Sequence, residues 1–133
     1  MQTKAVLGLQ EASQIIAAAR AEAEANNWAV AIAVVDDGGH PLALERLDGC
    51  APIGAYIAQE KARTSALGRR ESKIYEDMVN GGRNAFISAP LLTSLEGGVP
   101  VVVNGQIVGA VGVSGVRADQ DSQIAKAGAS SVA

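Results

Sequence analysis

Asn104-Gly105 stands between two apolar, β-branched runs, Pro100–Val103 and Gln106–Val113. A type I′ turn needs φ > 0 at both central residues, which Asn and Gly tolerate, so the pair predicts a tight hairpin. The second strand runs into Ser114-Gly115 and then into an acidic helix start at Asp119 and Asp121. Strand, tight turn, strand, glycine corner and helix therefore follow one another across residues 96–128. Small residues where a strand becomes a helix let a ligand approach the backbone. This segment is expected to form one wall of a pocket.

The remaining chain supplies the other elements. Leu9, Ala12, Ile16, Ala19 and Ala23 recur at helical spacing and predict an amphipathic helix from Gln10 to Asn26. Trp28 to Asp36 is a nearly continuous apolar strand, Asp37-Gly38-Gly39 a turn, and His40 to Asp48 an antiparallel return. Pro52 suits the first turn of a helix over Ile53 to Leu67, with Ile53, Ile57, Lys61 and Thr64 along one side. A short helix follows at Ser72 to Val79, and Pro90 forbids a long regular helix in 83–95. One more short strand is expected near Ser88 or Leu95. The last helix runs from Asp119 to Ala129. Hairpins separated by helices favour an antiparallel α+β sheet in a single domain, residues 1–133.

Composition narrows the partners. Of 133 residues, 48% are hydrophobic and 19% charged, as in a folded globular chain. Aromatics are scarce at 3% while Gly numbers 15, so a core of small aliphatics must be offset by close packing or by contacts between copies. A net charge of −3 with no basic block argues against nucleic acid and anionic membranes. One cysteine excludes an intrachain disulfide. The start MQTKAVLGLQEASQ lacks signal-peptide character and no stretch approaches a membrane span, so the cytoplasm is the expected compartment.

Three separated pieces fit one pattern. They are VVDDGGHPLALERLDG (34–49), QEKARTSA (59–66) and EGGVPVVVNGQIVGAVGVSGVRADQDSQIAKAG (96–128). In this order and spacing the chain resembles the GlcG/HbpS-like family of haem-binding proteins, which includes the C-terminal domain of the PduO adenosyltransferases. The resemblance implies a profilin-like α+β fold, a central antiparallel sheet flanked by helices, and assembly into homo-oligomers. It implies haem binding for some members and a place in small-molecule catabolism for others. Two positions depart from the pattern. Some haem-binding members use a histidine on a helix as axial ligand, whereas the one histidine here, His40, falls at a hairpin turn. An extracellular member carries a Glu-x-x-Glu iron motif on a helix, where this chain has Glu60 and then Arg63. Both departures argue against a tight structural haem site.

The candidate site residues each carry two readings. Arg46 and Asp48 lie two apart on the second strand, hence on one face. Arg46 offers a planar fork for a haem propionate or an organic acid, or an ion pair tying strand to helix. Lys61, on the side of Ile57 and Thr64, pairs Asp48 or Asp36, neutralises a ligand carboxylate, or snorkels to solvent. Gly97-Gly98 and Ser114-Gly115 form a backbone N–H cradle for an anion, or serve turn geometry alone. Ile53 and Ile57 would line an apolar ring. His40 is a weak candidate haem or metal ligand against a plain surface residue. Cys50 is a buried filler or a thiolate ligand. Asp36 and Asp37 read as turn residues, and Asp121 as an acid complementing a helix dipole.

Two functions follow. The first is a small oligomeric protein binding haem or a carboxylate-bearing small molecule in a subunit-lined pocket. Arg46, Lys61 and the Ser114-Gly115 corner would meet the carboxylates. The alternative is a cofactor-independent hydrolase, deaminase or tautomerase acting on an unsaturated organic acid or imine. There Lys61 and Asp48 would move protons and Arg46 would hold the carboxylate.

Overall fold

The computed structural model describes residues 1–132. Its elements are α1 (Leu9–Ala25), β1 (Ala31–Asp36), β2 (Pro41–Arg46), α2 (Ile53–Gly68), α3 (Lys73–Asn80), a 3-10 helix (Asn84–Ser88), β3 (Gly98–Val103), β4 (Gln106–Ser114) and α4 (Ala118–Ser130). The strands form one antiparallel sheet in the order β2-β1-β4-β3. This is the expected α+β architecture.

Local chemistry sets the boundaries. The hairpin turn has Asn104 at φ 51 and Gly105 at φ 74, as a type I′ turn requires. Helix α1 ends in a Schellman motif with Asn27 left-handed at φ 57. The Trp28 amide donates to Ala23 O at 2.9 Å and the Asn27 amide to Glu24 O at 3.1 Å. That closure holds Trp28, so β1 begins at Ala31, three residues later than its apolar run suggests. At the β1–β2 turn, Asp36 Oδ1 accepts the amides of Gly38 at 2.9 Å and His40 at 3.0 Å, which is the turn role read from the sequence. The register of β1 on β2 slips between Val34 and Val35, so Leu42 is bulged.

Two expectations need correction. No strand forms near Ser88 or Leu95; that region holds the 3-10 helix and irregular chain. Leu9 is 65% exposed at the first residue of α1, and Ile15 joins the buried stripe instead.

The central strand β1 is buried on both faces, which explains its unbroken apolar run. Its alternate residues face two different layers. Ile32 and Val34 meet Ile15, Ile16, Val111, Val113 and Ile124 under α1 and α4. Ala31, Ala33 and Val35 meet Ala58, Ala62 and Ala66 of α2. The second layer is built from small side chains, so α2 lies close to the sheet. Gly98 and Gly112 are register partners directly beneath it. A Cβ on Gly112 would sit 2.0 Å from Ala58 O, and one on Gly98 2.2 Å from Lys61 O. The helix therefore rests its backbone on two glycines, and this seat fixes where Lys61 reaches.

Candidate functional site

Lys61 extends from α2 to the end of β4. Its Nζ donates to Val113 O and to Asp121 Oδ2, each at 2.9 Å. Lys61 is 4% exposed and Asp121 2%. The other oxygen, Asp121 Oδ1, accepts the Val116 amide at 3.2 Å, so the carboxylate bridges α2 to the strand-to-helix corner. Burial pushes the Asp121 carboxyl up, against the neighbouring Lys61 ammonium, which pulls it down. The sequence offers Asp48 or Asp36 as partner; the fold supplies Asp121. Asp121, Ile124, Ala125 and Gly128 follow the spacing i, i+3, i+4, i+7 and are all buried, which is the signal that places this acid on the inner face of α4.

The glycine corner closes over this pair. Gly97 has φ +132, and a Cβ there would lie 2.8 Å from Lys61 Nζ and 2.7 Å from Val113 O. Its carbonyl accepts the Val113 amide at 3.0 Å. Gly98 exchanges bonds with Ser72, donating to Oγ at 2.8 Å and accepting from its amide at 3.0 Å. Ser114 is buried, while Gly115, at φ +149, is exposed. Lys61, Gly97, Gly98, Ser114 and Gly115 are thus one cluster. Lys61, Gly97 and Gly98 commit polar groups to Val113, Asp121 and Ser72.

The N-terminal end of α2 packs on the same corner. A Cβ on Gly54 would meet Cys50 Sγ at 2.6 Å and Ser114 O at 3.4 Å. Cys50 is buried, with Sγ 3.7 Å from Ser114 O. Burial pushes its thiol up and the Arg46 guanidinium draws it partly back. Arg46 pairs with Ala31, which pairs in turn with Ser114, so the three form one row across the sheet. Register partners share a face, and Ala31 faces α2. Arg46 is therefore an exposed cation on the α2 side, with no ion-pair partner among the described residues. On that side Ile57 is half-buried, while Ile53 is 62% and Tyr56 72% exposed.

Asp48 goes elsewhere. Strand β2 stops at Arg46 and Asp48 lies in the following turn, so strand alternation no longer applies. It lines a groove of about 430 Å³ with Arg20, Glu24, Trp28 and Leu47 on the α1 side. Lys61 is therefore held by Asp121, while Asp48, the proton-transfer partner named in the enzymatic alternative, lines the α1-side groove. His40 stands at the opposite end of β2, its side chain 78% exposed and Nδ1 3.0 Å from Asp36 Oδ1. Six residues of strand, at about 3.3 Å each, separate it from the Arg46 corner. Among the described residues no group of three or more His, Cys, Asp or Glu is placed to hold a metal. None of their helices is long and apolar enough to cross a membrane.

Comparison with known proteins agrees with this architecture. Residues 7–130 match the family model described as haem degrading protein HbpS-like. Protein GlcG of Escherichia coli (strain K12) is 73% identical over 114 residues, 86% of this chain and 85% of that protein. The crystal structure of Klebsiella pneumoniae protein ORFY superposes with a TM-score of 0.91 at 29% identity, covering 99% of this chain and 94% of that one. A double mutant of Streptomyces reticuli HbpS superposes with a TM-score of 0.89 at 30% identity, covering 100% of this chain and 91% of that one.

Proposed function

The chain belongs to the HbpS-like family, and from that premise we propose that it binds haem or a related carboxylate-bearing molecule at the α2 corner, in a pocket completed by a second copy. The observation that carries this reading is the placement of Arg46, unpaired among the described residues, on the same side of the sheet as α2, whose Ile53 and Tyr56 are exposed. An arginine without an internal partner offers a bidentate fork for a propionate or an organic acid. The apolar side chains exposed on α2 offer contact area for a flat ring.

The corner fits the periphery of a haem better than its metal. Cys50 is buried as a neutral thiol, and His40 belongs to the other end of the hairpin. Bound haem would supply iron and oxygen chemistry; this chain's residues hold its carboxylates and shield its ring. Lys61 acts here as a positioning residue, because its ammonium is committed to Asp121 and Val113 O. The corner on a single copy is open, and Leu44, on the face shared with Ala33, is also 44% exposed. A second copy covering Leu44, Ile53 and Tyr56 would bury this apolar surface and close the pocket.

The test is a hemin titration followed at the Soret band. A saturable shift at micromolar protein is expected, weakened several-fold by Arg46→Ala and left in place by His40→Ala. No saturable shift sinks the proposal. A shift abolished by His40→Ala moves the site to the β1–β2 turn.

A further inference from the structure

The groove on the α1 side is separate from the Arg46 corner and has its own chemistry. Its volume of about 430 Å³ lies within the range of small-molecule pockets. The chain's single tryptophan, Trp28, lines it and is half-buried, packing one side against the core. The Schellman closure of α1 fixes its backbone, so the ring is held in place before any ligand arrives.

The charges around it are unbalanced. Arg20 is bound by Glu24 at 2.7 Å and Glu45 at 3.1 Å, so its guanidinium is already occupied. Asp48, exposed in the lining of the groove, has no ion-pair partner among the described residues. Two carboxylates, Glu24 and Asp48, therefore line the groove with one committed guanidinium and an aromatic ring. Indole attracts cations through its quadrupole, and a carboxylate lining the same groove adds charge attraction.

We propose that this groove binds a small organic cation, an alkylammonium or guanidinium group, between Trp28 and Asp48. The ring supplies the contact that a hydrated metal ion cannot use as well, and Asp48 supplies the counter-charge. The proposal does not depend on haem binding, because no groove residue belongs to the α2 corner.

Trp28 is its own reporter, since no other tryptophan contributes to the emission. The full-length protein is titrated at low ionic strength with tetramethylammonium chloride and with methylguanidinium chloride, and sodium chloride serves as control. A saturable change in Trp28 emission is expected with either organic cation and not with sodium. Asp48→Asn should raise the midpoint several-fold while leaving the far-ultraviolet circular dichroism unchanged. An identical response to sodium, no saturable response, or a midpoint indifferent to Asp48→Asn each overturns the proposal. Emission that instead shifts with protein concentration alone also overturns it, because a second copy then covers the groove.

Discussion

Lys61 and Asp121 show how a single buried pair decides the geometry of a corner. Two charges taken out of water need each other: a remaining partner is left uncompensated, at a cost of about 3–5 kcal/mol. Asp121→Ala or Lys61→Ala should therefore lower unfolding free energy by about that amount in urea melts. The double variant Lys61→Ala/Asp121→Ala should lose less than the two single losses summed, because neither charge remains to be buried. Additive losses would mean that the pair is not coupled. Cys50 gives a second prediction at this scale. Its thiol is held above its ordinary value of 9.0 by burial. The folded state thus keeps a proton that the unfolded chain releases, so the protein loses stability as pH rises through that ordinary value. Alkylation by iodoacetamide needs the thiolate. Its rate on the native protein at pH 8 should fall below that of glutathione, and its inflection should lie at higher pH. A native rate equal to glutathione's would refute the burial argument. A merely lower rate with an unshifted inflection would assign the protection to access alone.

Among the elements, the seat of α2 sets the site more than any turn does. Gly112 lies inside β4, yet its lack of a side chain serves a helix packed across the sheet. Gly112→Ala must push Ala58 O from 2.0 Å and Ala62 N from 2.5 Å, both backbone atoms that cannot rotate away. Overpacking of this kind typically costs about 1–3 kcal/mol and here falls at the high end or beyond. Gly105→Ala meets nothing within 4 Å and pays only for its φ of +74, about 1 kcal/mol. Urea midpoints should rank wild type, then Gly105→Ala, then Gly112→Ala; the reverse order of the variants would show that α2 rides higher on the sheet. The contrast explains what could be read from residues alone. The hairpin, the helix stripes and the element order rest on neighbours in sequence, and Asn104-Gly105 announces its own turn. The Lys61–Asp121 contact spans 60 positions. Asp121 also satisfies a local rule about helix dipoles, which masked its long-range role. Arg46 and Asp48 were placed on one face by strand alternation, and a strand that ends at Arg46 separates them.

At the scale of the molecule, the aromatic-poor core and the exposed apolar side chains are connected. Small residues let α2 settle onto the sheet, and its first turns then carry Ile53 and Tyr56 outward, where a lone copy would leave them in water. If a second copy covers them, assembly and ligand binding share one surface. Light scattering on the wild type should then give a mass above one 13.5 kDa chain. Ile53→Asp/Tyr56→Asp places charges on that surface and should shift the mass toward the monomer, while circular dichroism stays unchanged because neither side chain enters the core. The same variant should lose most of the hemin response, since half of the pocket walls leave with the partner. If Arg46 meets the ligand as proposed, Arg46→Ala should weaken hemin with the mass unchanged, because its guanidinium makes no ion pair among the described residues. A monomeric Ile53→Asp/Tyr56→Asp variant that binds hemin as well as the wild type would confine the site to one copy. A fully assembled variant would move the interface off α2.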